Sequence, residues 1–248
     1  MAYKDGTVYV LEANPRSSRT IPFVSKAVGL PLAKIAANVM IGKTLREQGH
    51  THEPRTPYVS VKEVLLPFDK LPGADVLLGP EMRSTGEVMG MDYKLGLAFF
   101  KAELSADNPL PLQGLVFISV RDDDKAAVAV AAKKLSDAGL RIIATDNTAE
   151  YLKKSGIPVE RVNKIFNGSP NVLDYMKRGE VKLIINTPTT KQSVKDGFQI
   201  RRSAVDYHVP YITTIQAAQA AADAILKAGK NQITIKSLNE YHKEVFYN

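Results

Sequence analysis

A two-part α/β chain, its second part built on a doubly wound and mostly parallel sheet, is predicted by three observations. Residues 112–248 hold apolar runs without polar alternation, at 114–120, 140–145 and 182–187. Such runs mark strands buried on both faces. Helical stretches separate them, most closed by a glycine, and a Ser/Asp/Asn/Pro cluster at 104–114 divides two regions of different periodicity. The domain linker is placed in that cluster, between a first part, 1–105, and a second, 112–248.

In the first part, TVYVLEA (7–13) reads as a strand. Residues 32–48 read as a helix with Leu32, Ile35, Ala36, Val39 and Met40 on one stripe, and VSVKEVLLPF (59–68) as a second strand. A Gly/Pro-rich excursion, 71–90, follows. One helix and two strands make a thin core, so 1–105 reads as the tail of a larger domain whose beginning is missing. In the second part the strand 114–120 leads to a helix over 124–138 closed by Gly139, then to the strand 140–145. A short helix (149–154), a strand (159–164) and a helix (170–178) ended by Gly179 come next. The strand 182–187, a helix (199–207), the strand 210–214, the Ala-rich helix 217–228, a last strand ITIKSL (233–238) and a terminal helix complete the chain.

Composition narrows the function. With 248 residues, 44% hydrophobic and 24% charged, the chain is globular rather than disordered. It holds no cysteine, which removes disulfides, thiolate metal sites and cysteine nucleophiles and fits a reducing, cytoplasmic setting. No apolar run nears the roughly 20 residues that span a bilayer, and the first ten residues do not read as a signal peptide. The net charge of +7 is unevenly spread, with 20 basic and 14 acidic residues in 111–248 against 13 and 12 in 1–110. That excess, with no Trp and no basic run interleaved with aromatics, suits a small anionic ligand and argues against nucleic acid or membrane partners.

Three groups of residues carry chemistry. Glu12 and Asn14 project to one side of the first strand, followed by Arg16 and Arg19. This spacing fits two readings, oxygen ligands for Mg²⁺ beside guanidinium forks for phosphate, or a solvated edge strand with a turn at Asn14-Pro15. In the second part Ser119, Thr145 and Asn186 end three strands, with Lys125 and Thr148 opening the helices that follow. Strand C-termini and helix N-termini share one rim of such a sheet, where donors converge on an anion, although each residue alone also serves as a cap or turn. Third, Glu63 shares a strand face with Val59, Val61 and Leu65, a carboxylate on a side that otherwise reads as buried. Such a group requires a partner, either an internal Lys or Arg or a cationic ligand.

The stretch EANPRSSRTIPFVSKAVGLPLAKIAANVMIGKTL resembles the end of an ATP-grasp domain, the carbamoyl phosphate half of carbamoyl phosphate synthetase large subunits. YVSVKEVLLPFDKLPGADVLLGPEMRSTGEVMG resembles the same subunit. The remainder resembles its methylglyoxal synthase-like, Rossmann-like allosteric domain, with ISVRDDDK, IATDNTAEYL, VNKIF and IINTP where that family binds a phosphate-bearing ligand. The resemblance implies a truncated ATP-grasp portion followed by a regulatory domain, serving an ATP-dependent ligase of pyrimidine and arginine biosynthesis. It implies Glu12 and Asn14 as ligands of Mg²⁺ or Mn²⁺, and Arg16 and Arg19 on phosphate or carbamate. Ser119, Lys125, Thr145, Thr148, Lys164 and Asn186 would hold a nucleoside monophosphate effector, UMP or IMP. Glu63, Tyr211 and Thr213 would hold ornithine. The partners implied are the rest of the large chain and a glutaminase small subunit, and the 248 residues alone are expected to be inactive as a synthetase.

Two departures matter. Bacterial synthetases read Asn-Thr-Thr where this chain reads Asn186-Thr187-Pro188, and Pro188 offers neither a hydroxyl nor an N–H. The Gly-Gly-Asp motif that carries the carboxylate base of methylglyoxal synthases corresponds to Asn167-Gly168-Ser169, which counts against a phosphate-eliminating lyase. A stand-alone nucleotide-sensing module is the other alternative.

Overall fold

The computed structural model describes residues 1–13, 18–71, 77, 84–187 and 191–247, the side chains of 69 and 191–195 apart. The chain forms two compact units, Met1–Thr56 with Lys236–Asn248, and Pro57–Ile235. The 104–114 segment lies inside the second.

In the first unit, β1 (Ala2–Lys4) and β2 (Thr7–Tyr9) form an antiparallel hairpin. Its turn, Asp5-Gly6, has φ of 49° and 78°, the left-handed pair that a two-residue hairpin turn requires. The expected strand over 7–13 stops at Tyr9, and Val10 and Leu11 are exposed. Helix α1 (Thr20–Val28), which the sequence reading passed over, ends at Gly29 and is followed across a 115° bend by α2 (Leu32–Met40). The helix expected over 32–48 therefore ends eight residues early. Gly42 takes φ 96°, and Thr44 donates its N–H to Glu47 Oε2 at 2.7 Å in a separate turn. Of the predicted stripe Ile35 is buried, whereas Met40 is 88% exposed. The short β3 (Pro54–Arg55) has its antiparallel partner near the chain's other end, described below.

The second unit begins with β4 (Val59–Leu65) and β5 (Gly86–Asp92), antiparallel from Val59↔Asp92 to Leu65↔Gly86. β5 falls within and just beyond the predicted Gly/Pro-rich excursion. Helix α3 (Leu95–Ser105) packs on this pair. Then come β6 (Leu115–Ser119), α4 (Lys125–Asp137), β7 (Arg141–Thr145), α5 (Asp146–Lys154), β8 (Glu160–Val162) and α6 (Val172–Lys177). After them run β9 (Val181–Asn186), α7 (Lys191–Asp206), β10 (Tyr211–Ile212) and α8 (Ile215–Ala228). Among the described residues, five strands pair in parallel in the order β10-β9-β6-β7-β8.

Alternate residues of the strands enter opposite cores, as double winding requires. Val116, Ile118, Ile142, Ala144, Leu183 and Ile185 meet α3, α4, α5 and α8 on one face. Leu115, Phe117, Ile143 and Ile184 meet Val172 and Met176 of α6 and Ile200 and Ala204 of α7 on the other. Burying one such large side chain contributes about 1.5–3 kcal/mol. Buried Ala218, Ala221, Ala222 and Ala224 on α8 give that helix a flat face for close packing with α3 and α4.

The last expected strand, 233–238, does not form. Residues 232–237 have no regular structure, Ile235 is 96% exposed, and ITIKSL pairs with no strand among the described residues. Instead Ser237 caps α9 (Leu238–His242) in a reciprocal box with Glu240, and β11 (Phe246–Tyr247) pairs with β3 in the first unit. His242 donates from Nε2 to the Lys26 carbonyl at 2.6 Å, its ring filling the space a side chain at Gly29 would take.

Candidate functional site

The sheet order creates a switch point. β6 comes first in the chain and lies between β7 and β9, so the connections from β6 diverge to opposite sides and leave a crevice at the strand C-termini. Ser119, Thr145 and Asn186, the last residues of β6, β7 and β9, stand there, and Ser119 and Asn186 are direct neighbours in register. The crevice holds a cavity of about 320 Å³ lined by Ser119, Thr145, Thr148, Lys164 and Asn186, together with Asn147 and Asn163. Helix α5 starts immediately after Thr145, so its first N–H groups face the rim that Asn147 and Thr148 line.

Much of this rim is held by its own hydrogen bonds. The Ser119 and Thr145 hydroxyls lie 3.0 Å apart, and Asn186 Nδ2 donates to the Ser119 carbonyl at 2.9 Å. Asn186 Oδ1 is buried with no hydrogen-bond partner among the described residues, an acceptor that a ligand hydroxyl or N–H would satisfy. Thr148 turns its hydroxyl to the Val120 backbone, 3.4 Å from its N–H, which makes it a strut between α5 and the β6 loop. Lys164 precedes the short turn Ile165–Asn167, its ammonium 5.8 Å from the centre of the Phe166 ring.

Lys125 departs from this convergence. It is absent from the cavity wall, and its ammonium pairs with Asp122 Oδ1 at 2.7 Å. That hydrogen bond, reinforced by the charges of Lys125 and Lys164, holds the Asp122 carboxyl below the usual carboxylate range. Asp122 and Asp196 also line the cavity, so the rim carries both signs of charge.

Sequence reasoning placed Thr187 beside Asn186 at this rim, where the cavity wall includes it, but missed Phe166 and Asp122. Phe166 is 67% exposed beside a polar cavity, and the hydroxyl of Thr187 accepts from the Arg121 N–H at 3.2 Å. The apolar residue inside VNKIF was the available clue to Phe166. Pro188 lies outside the described residues.

A second cavity, about 970 Å³, is lined by Glu63, Glu103, Asn108, His208, Tyr211 and Thr213, among others. The expected grouping of Glu63, Tyr211 and Thr213 is thus brought into one wall. The strand face carrying Glu63 is only partly buried, and Leu65 is exposed, because it opens on this cavity rather than on core. Among the described residues no Lys or Arg forms a salt bridge with Glu63; Oε1 accepts the Val64 N–H at 3.1 Å, and burial pushes its carboxyl up. Glu103 on α3, inside a helix that sequence reasoning did not find, is more strongly perturbed. Burial pushes its acid up to about 7, the Asn108 side-chain amide donates to Oε2 in opposition, and the charge of Glu63 adds to the rise.

Glu12 and Arg19 are exposed, while Asn14 and Arg16 lie outside the described residues. Among the described residues no group of three or more His, Asp or Glu side chains gathers to hold a metal ion. No single helix among them is long and apolar enough to cross a membrane.

Comparison with known proteins adds the context. The family model described as "Carbamoyl-phosphate synthase L chain, ATP binding domain" matches residues 1–48, and "MGS-like domain" matches 127–213. The carbamoyl phosphate synthase large chain of Methanothrix thermoacetophila is 77% identical over 247 residues, covering 100% of this chain and 23% of the relative. That of Methanosarcina barkeri is 63% identical, covering 99% of this chain and 62% of the relative. That of Archaeoglobus fulgidus is 55% identical, covering 98% and 23%. Against the full-length relatives, therefore, the chain spans about a quarter of their length. A solved methylglyoxal synthase from Elizabethkingia anophelis is 16% identical, covers 56% of this chain and 86% of its own, and gives a TM-score of 0.36.

Proposed function

From its homology along its whole length to carbamoyl phosphate synthase large chains, we propose that the chain is the C-terminal portion of such a large chain and that its MGS-like domain senses effectors for an ATP-dependent ligase. The boundary between the ATP-grasp end and the sensing domain would fall within 105–112. The observation that carries this reading is the convergence of Ser119, Thr145, Lys164 and Asn186 on one crevice at the switch point. Hydroxyls, an ammonium and a helix N-terminus complement a phosphate, Asn186 Oδ1 accepts from the sugar or base, and the exposed Phe166 ring offers a surface for the base. UMP and IMP are the ligands of choice. Titration calorimetry with both tests it: wild type binds saturably, and Lys164→Ala weakens binding about tenfold or more. Binding unaffected by Lys164→Ala would remove the assignment.

The larger cavity supports an ornithine site. An ammonium there would complete the charge of Glu63, with Tyr211 and Thr213 as further polar contacts. Glu63→Gln is expected to weaken ornithine binding at least tenfold while leaving UMP affinity within about twofold. Equal ornithine affinity in the variant would count against it. The two sites together make the domain a point of linkage, where nucleotide and ornithine bias the same catalytic partner.

In the complete enzyme Glu12 and Asn14 would supply oxygen ligands to Mg²⁺ or Mn²⁺, and Arg16 and Arg19 would contact phosphate. Bound metal would then neutralise charge on the phosphates of ATP, the phosphoryl donor to carbamate. The rest of the large chain and a glutaminase small subunit are the partners of this reading, in the cytoplasm. A lyase reading finds little support, since Ser169 stands where a carboxylate base is required and its hydroxyl donates to Asp174 Oδ2 at 2.7 Å, a carboxylate engaged in the capping box of α6.

A further inference from the structure

Lys125 opens α4 immediately beside the phosphate rim, yet its ammonium is engaged by Asp122, three residues earlier in the same turn. The pair is asymmetric. The Lys125 side chain is 14% exposed and that of Asp122 84%, so the buried partner of the two is the cation. Asp122 also lines the 320 Å³ cavity. An incoming phosphate therefore meets an anion already occupying the ammonium it would need. An i,i+3 pair with one partner in open solvent is readily broken, so the arrangement is reversible.

We propose that Asp122 is an internal competitor for Lys125, a latch that holds the ammonium off the cavity until the phosphate of a bound nucleotide replaces its carboxylate. The inference rests on the nucleotide reading of this cavity and adds to it a residue that sets affinity without needing to touch the ligand. Asp122 is thus a positioning residue acting through Lys125. Of the charges nearby, Arg121 is drawn away by Asp124, its Nε 2.8 Å from Oδ2, while Lys164 faces the same cavity. Glu150, on α5, interacts with Lys125 at longer range but is paired with Lys154 at 2.7 Å. Asp196 contributes a second carboxylate to the wall.

The test is a double-mutant cycle on the full chain, reading UMP affinity by calorimetry at two ionic strengths. Lys125→Met keeps the buried stem of the side chain and removes the charge. Asp122→Asn is expected to tighten UMP binding about three- to tenfold in the wild-type background and to change it less than about twofold in Lys125→Met. Asp123→Asn, the neighbouring exposed carboxylate, is the charge-only control, with the same small effect in both backgrounds. Equal tightening by Asp122→Asn in both backgrounds, or none in either, overturns the latch and leaves the nucleotide site standing. Failure of every variant to bind UMP overturns the site and the latch with it.

Discussion

At Glu103 burial outweighs the single hydrogen bond from Asn108, and the carboxyl is pushed up to about 7. Its pKa is therefore higher in the fold than in the unfolded chain, where it sits near 4.5. The unfolded state releases its proton first, so stability falls as pH rises from about 4.5 through about 7 and then levels, by an amount on the order of 3 kcal/mol. Glu103→Gln keeps a partner for Asn108 and removes the titration. Urea unfolding at pH 5 and pH 8 should show a smaller fall for the variant than for wild type. An identical fall in both would refute the assignment. At this scale the sequence was informative where a polar residue ended a strand, as at Ser119, Thr145 and Asn186. It was silent on Glu103 and Asp122, because burial and ion pairing belong to the folded neighbourhood and leave no pattern along the chain.

Among the described glycines, the tightest approach is at Gly90, where β5 meets α3. A Cβ added to Gly90 would lie 2.0 Å from the Ala98 carbonyl and 2.4 Å from the Ala102 nitrogen, both backbone atoms that cannot swing aside. Gly90→Ala should therefore cost about 3 kcal/mol or more, read as a lowered urea midpoint, with the loss centred on the wall of the Glu63 cavity. Retention of wild-type stability would mean that the helix does not sit so close. The parallel strands were legible because burial on both faces writes itself as continuous apolar runs. α3 was not, since a helix covered on several sides, LGLAFF, loses the periodicity that marks an amphipathic one. ITIKSL shows the opposite failure, a strand-like alternation that pairs with no strand among the described residues.

For the whole molecule, topology fixes where a ligand can bind. Five parallel strands with β6 at the switch point put three polar strand ends, one helix N-terminus and Lys164 around a single crevice. The doubly wound class could be inferred from the sequence, whereas the way residues 236–248 return to the first 56 could not, because that pairing depends on contacts between the two ends of the chain. On the proposed reading, this crevice receives the phosphate of a nucleotide. Crystals of this chain soaked with UMP test it most directly. The expected result is phosphate bound against Ser119, Thr145 and Lys164, with the base beside Phe166. A crevice left empty under saturating UMP, or the nucleotide seated in the Glu63 cavity instead, would contradict it.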